Sequence, residues 1–225
     1  MGKKELVQKY RPLVSFACGL HNLRNVFRIK GRSGNTLEAP CALLRRVRIH
    51  FSGSGNRVVV GDFSILTDVE LYISGNNNTI VIGPWCHVNR ATICTEDNGN
   101  TISLGAHTRI MGQTELAAIE GTAVTIGEDC LFSSGICVRT GDSHSVLNLE
   151  GKRINPSQSV TIGNHVWMGI KTICLKGASV ADHCIVGAGA IVTKKFTTPN
   201  CALAGNPARV VREGVDWDLS RIPME

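Results

Sequence analysis

An apolar-x-apolar-Gly step recurs at Val58-Val-Val-Gly61, Ile80-Val-Ile-Gly83, Ile102-Ser-Leu-Gly105, Val124-Thr-Ile-Gly127 and Val160-Thr-Ile-Gly163. The first four glycines are 22 residues apart, whereas the last interval is 36 residues. A fixed repeat of this kind is typical of solenoids, in which each unit buries its apolar side chains only by stacking on its neighbours. The sequence therefore predicts a repeat architecture with one long insertion.

Within the repeat the apolar period is six residues. A larger apolar residue leads consecutive hexapeptides, at Ile162, Met168, Cys174, Val180, Val186 and Val192. A smaller residue follows four places later, at Val166, Thr172, Ala178, Cys184 and Ala190. This pattern predicts a short strand and a turn per hexapeptide, with three hexapeptides to an 18-residue triangular coil and coils about 4.8 Å apart. The period of 22 is then one coil plus a four-residue corner loop, rich in Gly and Asn because corners require positive φ.

The chain divides into three segments. Residues 1–36 form a basic N-terminal arm whose mixed helical character is broken by Pro12. Residues 37–196 carry the repeat and contain a long polar loop at 141–157. Residues 197–225 lose the pattern, and we expect a tail with a short C-terminal helix that caps the last coil.

Composition indicates an all-β protein without a membrane span. Hydrophobic residues make up 43% of the chain but aromatic residues only 5%, and no apolar run approaches the roughly 20 residues of a transmembrane helix. We expect neither a signal peptide nor a lipid anchor, and a cytoplasmic location. The nine cysteines include no Cys-x-x-Cys pair, and Cys86, Cys130 and Cys184 occupy the small inward position, which predicts reduced core thiols.

The net charge of +6 originates in the N-terminal segment. Residues 1–50 hold 11 Lys and Arg against only Glu5 and Glu38. This segment is either a solvated face or an attractive surface for an acidic saccharide, a nucleotide-linked sugar or, peripherally, a membrane. We expect no nucleic-acid partner.

Several motifs resemble those of the left-handed β-helix (hexapeptide-repeat) acyltransferases over about residues 55–212. They are Ile162-Gly-Asn-His-Val-Trp-Met-Gly169, Val186-Gly-Ala-Gly-Ala-Ile-Val-Thr-Lys194 and Ala204-Gly-Asn-Pro-Ala-Arg209. Gly141-Asp-Ser-His144 and Arg153-Ile-Asn155 look most like the polysaccharide and sialic-acid O-acetyltransferase branch. The resemblance implies a left-handed coil, acetyl-CoA as donor, a saccharide acceptor, and a homotrimer with active sites between subunits.

His144 is the candidate general base, because transfer of an acetyl group to a hydroxyl requires a group of near-neutral pKa to take the proton. It matches the family's catalytic histidine by its position before Val-Trp-Met-Gly. Asp142 either orients the imidazole or belongs to an ordinary turn. Arg153 and Asn155 are expected to line the acceptor side.

The donor side is assigned from the resemblance. Trp167 is expected to shield the thioester or to pack in the core or trimer, and the N–H of Gly169 to face the cofactor. The donor cleft also includes Ala188. Lys176 and Lys194 lie 18 residues apart and stack on one corner, and they and Arg209 either bind coenzyme A phosphates or form a solvated corner.

His165 and His183 also lie 18 residues apart and should stack, but the repeat offers no third ligand, so we expect no metal. The predicted function is an acetyl-CoA-dependent O-acetyltransferase acting on a sugar hydroxyl of a surface polysaccharide or its precursor. Two alternatives stay open at this point: N-acetylation of a nucleotide-linked amino sugar, and a non-catalytic β-helix scaffold.

Overall fold

The strands of this protein wind into a parallel triangular coil. The computed structural model describes residues 10–24 and 28–224, and it shows one α-helix, α1 (Arg11–Arg24), followed by 23 short strands. Each strand pairs with the strands of the preceding and following coils, so that the stack has three flat faces. The predicted parallel coil of hexapeptide repeats is confirmed.

The chain passes through the faces in the order 1, 2, 3 in every coil, and strands β6 (Ile65–Ser74) and β8 (His87–Glu96) bend from face 1 onto face 2. The other strands of face 1 are β3 (Leu43–Arg45), β10 (Arg109–Ile110), β13 (Leu131–Phe132), β16 (Trp167–Met168), β19 (Ile185–Val186), β22 (Cys201–Ala204) and β23 (Arg209–Glu213). Those of face 2 are β1 (Arg28–Lys30), β4 (Arg48–Ser52), β11 (Thr114–Ile119), β14 (Ile136–Arg139), β17 (Ile173–Cys174) and β20 (Ile191–Val192). Face 3 comprises β2 (Thr36–Glu38), β5 (Arg57–Val60), β7 (Thr79–Ile82), β9 (Thr101–Leu104), β12 (Ala123–Ile126), β15 (Val160–Ile162), β18 (Ser179–Val180) and β21 (Lys195–Phe196).

The register of face 3 reproduces the sequence intervals. Ile80 pairs with Ile102, 22 residues later, and Val124 pairs with Val160, 36 residues later. Beyond this point Ile162 pairs with Val180 at the bare coil length of 18. The additional residues therefore leave the coil at one corner and return without shifting the stack.

The inward side chains form one continuous core. The predicted leading and small positions between residues 162 and 192 are all at most 1% exposed. Cys86, Cys130 and Cys184 are likewise at most 1% exposed, and all nine cysteines are free thiols. Burial raises the pKa of the Cys86 and Cys130 thiols to about 11, so these residues act as small apolar core groups.

The glycine of each repeated step allows successive coils to approach closely at the corner after face 3. A Cβ on Gly105 would lie 2.5 Å from the backbone nitrogen of Glu128, and one on Gly127 would lie 2.6 Å from the carbonyl carbon of Gly163. Real Cβ atoms do not make such contacts, so the glycine is required by the stacking distance.

A ladder of buried asparagines lines the corner between faces 2 and 3 in the N-terminal coils. The Oδ1 atom of each accepts from the backbone N–H one coil later: Asn35 from Asn56 (2.9 Å), Asn56 from Asn78 (2.9 Å), and Asn78 from Asn100 (2.8 Å). The side chains of Asn56, Asn78 and Asn100 are at most 1% exposed. The ladder thus pairs the backbone polar groups of these corners, which would otherwise be buried without partners.

Helix α1 covers the free edge of the first strand on face 1. The Asn22 amide donates to the carbonyl of Ala42 (3.0 Å) and accepts from the N–H of Leu44 (2.8 Å). Pro12 lies in the first turn of the helix, where a missing N–H costs nothing. The helical character that the sequence predicts before Pro12 falls mainly on residues 1–9, which lie outside the described residues. At 14 residues, α1 is too short to cross a membrane, and the described residues contain no other helix that would.

The boundaries of the repeat differ from the prediction at both ends. Strand β1 pairs with β4, so coil pairing begins inside the predicted 1–36 arm. The predicted short C-terminal helix is wrong: β22 and β23 form an antiparallel hairpin on the last coil. Gly205 and Pro207 stand between the strands and Val210 and Val211 lie in β23, a composition that disfavours helix and favours a turn followed by strand.

Candidate active site

The long loop (141–157) leaves the coil at the corner between faces 2 and 3. It folds back on itself through hydrogen bonds from Asn148 N to Lys152 O (2.9 Å) and from Ile154 N to Val146 O (2.9 Å). It is therefore a small hairpin that stands off the solenoid, built on a rigid corner.

Asn155 holds the base of this loop together. Its Nδ2 donates to the backbone carbonyl of His144 (2.8 Å) and to Oδ2 of Asp142 (2.7 Å), while its Oδ1 accepts from the N–H of Val146 (2.8 Å). Asn155 is only 7% exposed. Sequence analysis placed Asn155 in the acceptor wall, whereas these contacts make it the residue that fixes the backbone at His144.

The imidazole of His144 is exposed and has no hydrogen-bond or ion-pair partner among the residues that the structure describes. Asp142, considered as a possible orienting group, contacts Lys176 and Asn155 instead. Lys176 and then Asn155 lower the pKa of Asp142, because both donate hydrogen bonds to its carboxylate. The ring of His144 is thus available to contact another group, while the backbone of His144 is held in place by Asn155.

Arg153 anchors the other side of the loop. Its guanidinium pairs in a bidentate manner with Glu120 of the preceding coil, with Nη2 3.0 Å from Oε2. Glu120 also accepts from the hydroxyl of Ser157 (2.6 Å). Arg153, followed by Ser157, lowers the pKa of Glu120 to about 2. Glu120 was not among the predicted site residues, because nothing in the repeat indicates which corner residue the long loop will contact.

Trp167 lies on face 1, where β16 begins. Its side chain is 38% exposed and its Nε1 donates to the Ser133 hydroxyl (3.3 Å). The N–H of Gly169, expected to face a cofactor, donates to the carbonyl of Val186 (2.7 Å). The N–H of Ala188, at the exposed corner that follows, has no acceptor within the described part of the chain.

Two of the three residues predicted to bind coenzyme A phosphates line the same cavity at the C-terminal end of the solenoid. Lys194 and Arg209 line one open cavity of about 390 Å³, and Lys194 Nζ lies 5.3 Å from the centre of the Phe196 ring. Neither forms an ion pair in the parts of the chain that are described. Lys176, one coil earlier, does not line this cavity and is paired with Asp142.

Within one chain, the predicted catalytic residue His144 and the predicted donor-side residue Trp167 do not come together. His144 belongs to the corner between faces 2 and 3, and in a triangular coil that corner lies opposite face 1, which carries Trp167. A site that uses both residues must therefore combine them from two chains.

Comparison with known proteins finds similarity to O-acetyltransferases. No family model matches the chain. A polysialic acid O-acetyltransferase of Neisseria meningitidis is 32% identical over 108 residues, which cover 48% of this chain and 50% of that protein. A galactoside O-acetyltransferase of Escherichia coli K12 is 37% identical over 105 residues, which cover 46% of this chain and 50% of that protein. The matches thus span about half the length of these curated relatives.

Two solved structures resemble the whole coil. The polysialic acid O-acetyltransferase OatWY superposes with a TM-score of 0.83 at 29% identity and covers 88% of this chain and 93% of its own. The polySia-specific acetyltransferase NeuO superposes with a TM-score of 0.74 at 25% identity and covers 87% of this chain and 88% of its own. The predicted left-handed β-helix and the resemblance to hexapeptide-repeat acetyltransferases are confirmed.

Proposed function

We propose that this homologue of the polysialic acid and galactoside O-acetyltransferases transfers the acetyl group of acetyl-CoA to a sugar hydroxyl of a surface polysaccharide or its precursor. The observation that carries the proposal is the His144 imidazole, which is exposed and unpaired on a loop whose backbone is fixed by Asn155. Such a ring is available to a substrate while its position is defined.

In this mechanism the His144 imidazole removes the proton of the acceptor hydroxyl as its oxygen attacks the thioester carbonyl. The tetrahedral intermediate then collapses with cleavage of the carbon–sulfur bond. The imidazolium returns the proton to the departing thiolate, so the products are the acetyl ester and coenzyme A. The unpaired N–H of Ala188 is a candidate donor to the oxyanion. Trp167 supplies an aromatic wall, and Lys194 and Arg209 are suited to the coenzyme phosphates.

The site is proposed to lie between subunits of a homotrimer. Support comes from the opposite placement of His144 and Trp167, which requires two chains for one site. The mass in solution should be three times the 24.2 kDa of the chain. Mixed trimers of His144→Ala and Trp167→Ala, each impaired alone, should recover turnover at interfaces that combine the two intact residues. Absence of recovery, with mixed trimers verified by mass, would place the two residues in separate roles.

The acceptor class is tested by mass spectrometry. Sialic acid oligomers, neutral galactosides, nucleotide-linked amino sugars and acetyl-CoA are incubated with the enzyme, and products that gain one acetyl group are identified. Hydroxylamine at alkaline pH cleaves esters but not amides, so it separates O-acetylation from N-acetylation. No acetylated product together with no acetyl-CoA binding by calorimetry would favour a non-catalytic scaffold.

We also propose that α1 contacts an anionic membrane surface. The helix exposes an apolar stripe, with exposed fractions between 45% and 84%, at Leu13, Phe16, Leu20 and Leu23. The excess of cations in residues 1–50 complements anionic headgroups. Phe16→Ser with Leu23→Ser should abolish co-sedimentation with vesicles containing phosphatidylglycerol. If the variant instead lowers the mass in solution, the stripe is a contact between chains.

We propose that the reaction takes place in the cytoplasm. Acetyl-CoA is the proposed donor, and the nine unpaired cysteines fit a reducing compartment.

A further inference from the structure

A column of side chains follows the corner at which the chain passes from face 3 to face 1. Each member lies three residues after the end of a face 3 strand and has a positive φ between 51° and 63°: Phe63, Trp85, His107, Asp129, His165 and His183. Phe63 packs against Trp85 with ring centres 4.6 Å apart and planes inclined by 33°, and His165 packs against His183 with centres 5.0 Å apart and planes inclined by 46°. The column therefore changes from aromatic to metal-ligating side chains towards the C-terminal end.

The C-terminal tail crosses this column after the capping hairpin. The Trp217 ring stacks on His165 with centres 4.3 Å apart and planes inclined by 13°, and its Nε1 donates to the His165 carbonyl (2.8 Å). This contact brings in Asp216, whose Oδ1 is 3.5 Å from His165 Nε2 and whose Oδ2 is 3.1 Å from His183 Nδ1. The tail thus supplies the third group that the repeat lacks.

The Asp216 carboxylate approaches the two imidazoles at separations close to those of ligands around one metal ion, with Oδ1 facing His165 and Oδ2 facing His183. The three ligand atoms of His165, His183 and Asp216 lie within 4.8 Å of one another. Tetrahedral zinc with bonds of about 2.0–2.1 Å to nitrogen and oxygen holds neighbouring ligands roughly 3.3 Å apart. The distances of 3.5 Å and 3.1 Å bracket that value, and the carbonyl oxygen of Trp217, 3.0 Å from His165 Nε2, is a possible fourth ligand.

Asp129 orients the central histidine for this role. Its Oδ2 lies 2.7 Å from His165 Nδ1, a contact that would hold the proton on this nitrogen when Nε2 binds a metal ion. A carboxylate behind a ligating imidazole is the usual support of zinc-bound histidine. Two imidazoles and a carboxylate suit Zn²⁺ better than Mg²⁺ or Ca²⁺, which prefer oxygen-only shells.

We propose that His165, His183 and Asp216 form a zinc site that fastens the C-terminal tail to the solenoid. The fastened tail places Trp217 beside Trp167, with ring centres 6.3 Å apart, at the edge of face 1. The proposal does not depend on acetyl transfer, since it concerns binding of the ion and the position of the tail.

The test uses tag-free full-length protein and a chromogenic chelator that competes for Zn²⁺. We expect one Zn²⁺ per chain, and visible absorption bands when Co²⁺ is added instead. Asp216→Asn and His183→Asn should each lower the affinity for Zn²⁺ at least about 10-fold, and Asp129→Asn about 10- to 100-fold. Asparagine is chosen at position 183 because it tolerates positive φ.

His107→Asn is the matched control, since His107 lies on the same column with φ of 62° but outside the cluster. It should bind Zn²⁺ as the parent protein does. Zn²⁺ should also slow tryptic cleavage after Arg221 in the parent and control, but not in Asp216→Asn.

All of these variants keep the nine cysteines, so binding by thiols would be equal among them. Equal affinities in the parent, Asp216→Asn and His183→Asn would therefore overturn the proposal. Failure of the parent to compete with the chelator would do the same, and would leave the cluster as a hydrogen-bonded contact of the tail.

Discussion

The N-terminal coils (residues 57–126) and the C-terminal coils (residues 127–204) share one core but differ at their corners. The first region keeps a period of 22 and holds the last two asparagines of the ladder, Asn78 and Asn100, at its corners between faces 2 and 3. The second region has a 14-residue longer step followed by bare 18-residue coils. Its corner carries the long loop, Lys176 and Lys194.

The two regions also differ in how some of their charged groups are paired. Arg48 near the start of the solenoid pairs with Glu70 one coil later, and Arg57 pairs with Glu38 one coil earlier. Lys194 and Arg209, by contrast, face a cavity with no ion-pair partner among the described residues. The comparison indicates that the first region stabilises the stack, whereas the second region leaves groups available for ligands.

The largest effect is expected from the second region. His144→Ala should lower kcat by about 10²–10⁴-fold, the usual contribution of a general base. The side chain makes no contact that holds the fold, so melting temperature and trimer mass should not change. Steady-state kinetics with saturating acetyl-CoA and acceptor measure the effect. His107→Asn serves as the control, since asparagine tolerates the positive φ at this position. Turnover unchanged by His144→Ala would remove His144 from the chemistry.

Substitutions in the first region are expected to lower the stability of the fold instead of the activity. Asn78→Ala removes the acceptor of the Asn100 N–H and the donor to the carbonyls of Ser74 and Asp97. Because these groups are buried, the free energy of unfolding should fall by roughly 2–4 kcal/mol. Urea denaturation measures it. Asn76→Ala, at an exposed position of the same corner, should cost about 1 kcal/mol or less. Equal losses from the two variants would show that the ladder adds nothing.

A smaller and more selective effect is expected at the cationic cavity. Arg209→Ala should raise KM for acetyl-CoA about 10-fold, since a charged hydrogen bond contributes 1.5 kcal/mol or more. KM for the sugar should change less. Arg212→Ala, in the same strand but outside the cavity, is the control. A larger change in KM for the sugar than for acetyl-CoA would assign Arg209 to the acceptor side.

The smallest effect concerns acid pH. The pKa of Asp142 is lowered in the folded protein, so its attachment to Lys176 is fully present above its ordinary value of 3.8 and is lost as pH falls through the lowered value. The protection factors for hydrogen exchange in residues 141–157, corrected for the intrinsic exchange rate at each pH, should therefore not vary between pH 5 and 8, and should fall only in stronger acid. Asp142→Asn should show the faster exchange at pH 7. If parent and variant exchange alike, Asp142 does not anchor the loop.

The sequence was sufficient to predict the coil because the coil is local and periodic. Ile102 and Val124 occupy equivalent positions of the repeat and both lie inward. A wrong assignment at one repeat is therefore corrected by the other repeats. Gly127 and its equivalents mark the corners because stacked backbones leave no room for a Cβ. Fold, core and position of the insertion followed from these regularities.

Contacts between non-repeating segments were not predictable in this way. Asp142 pairs with Lys176 rather than with His144, and Arg153 pairs with Glu120, because the loop folds back on neighbouring coils. Asp216 reaches His183 only through the tail. Such pairings depend on where an irregular segment packs against the coils, and the repeat period carries no information about that position. The C-terminal hairpin was missed for a related reason, since an antiparallel strand ends the repeat.

The interval of 36 between Val124 and Val160 has a consequence for how such enzymes diversify. The coils on either side stay in register although the segment between them is longer, so this corner accepts loops of different length and sequence. We therefore expect that exchange of residues 141–157 for the equivalent segment of a relative would change the proposed acceptor preference while the coils keep their register.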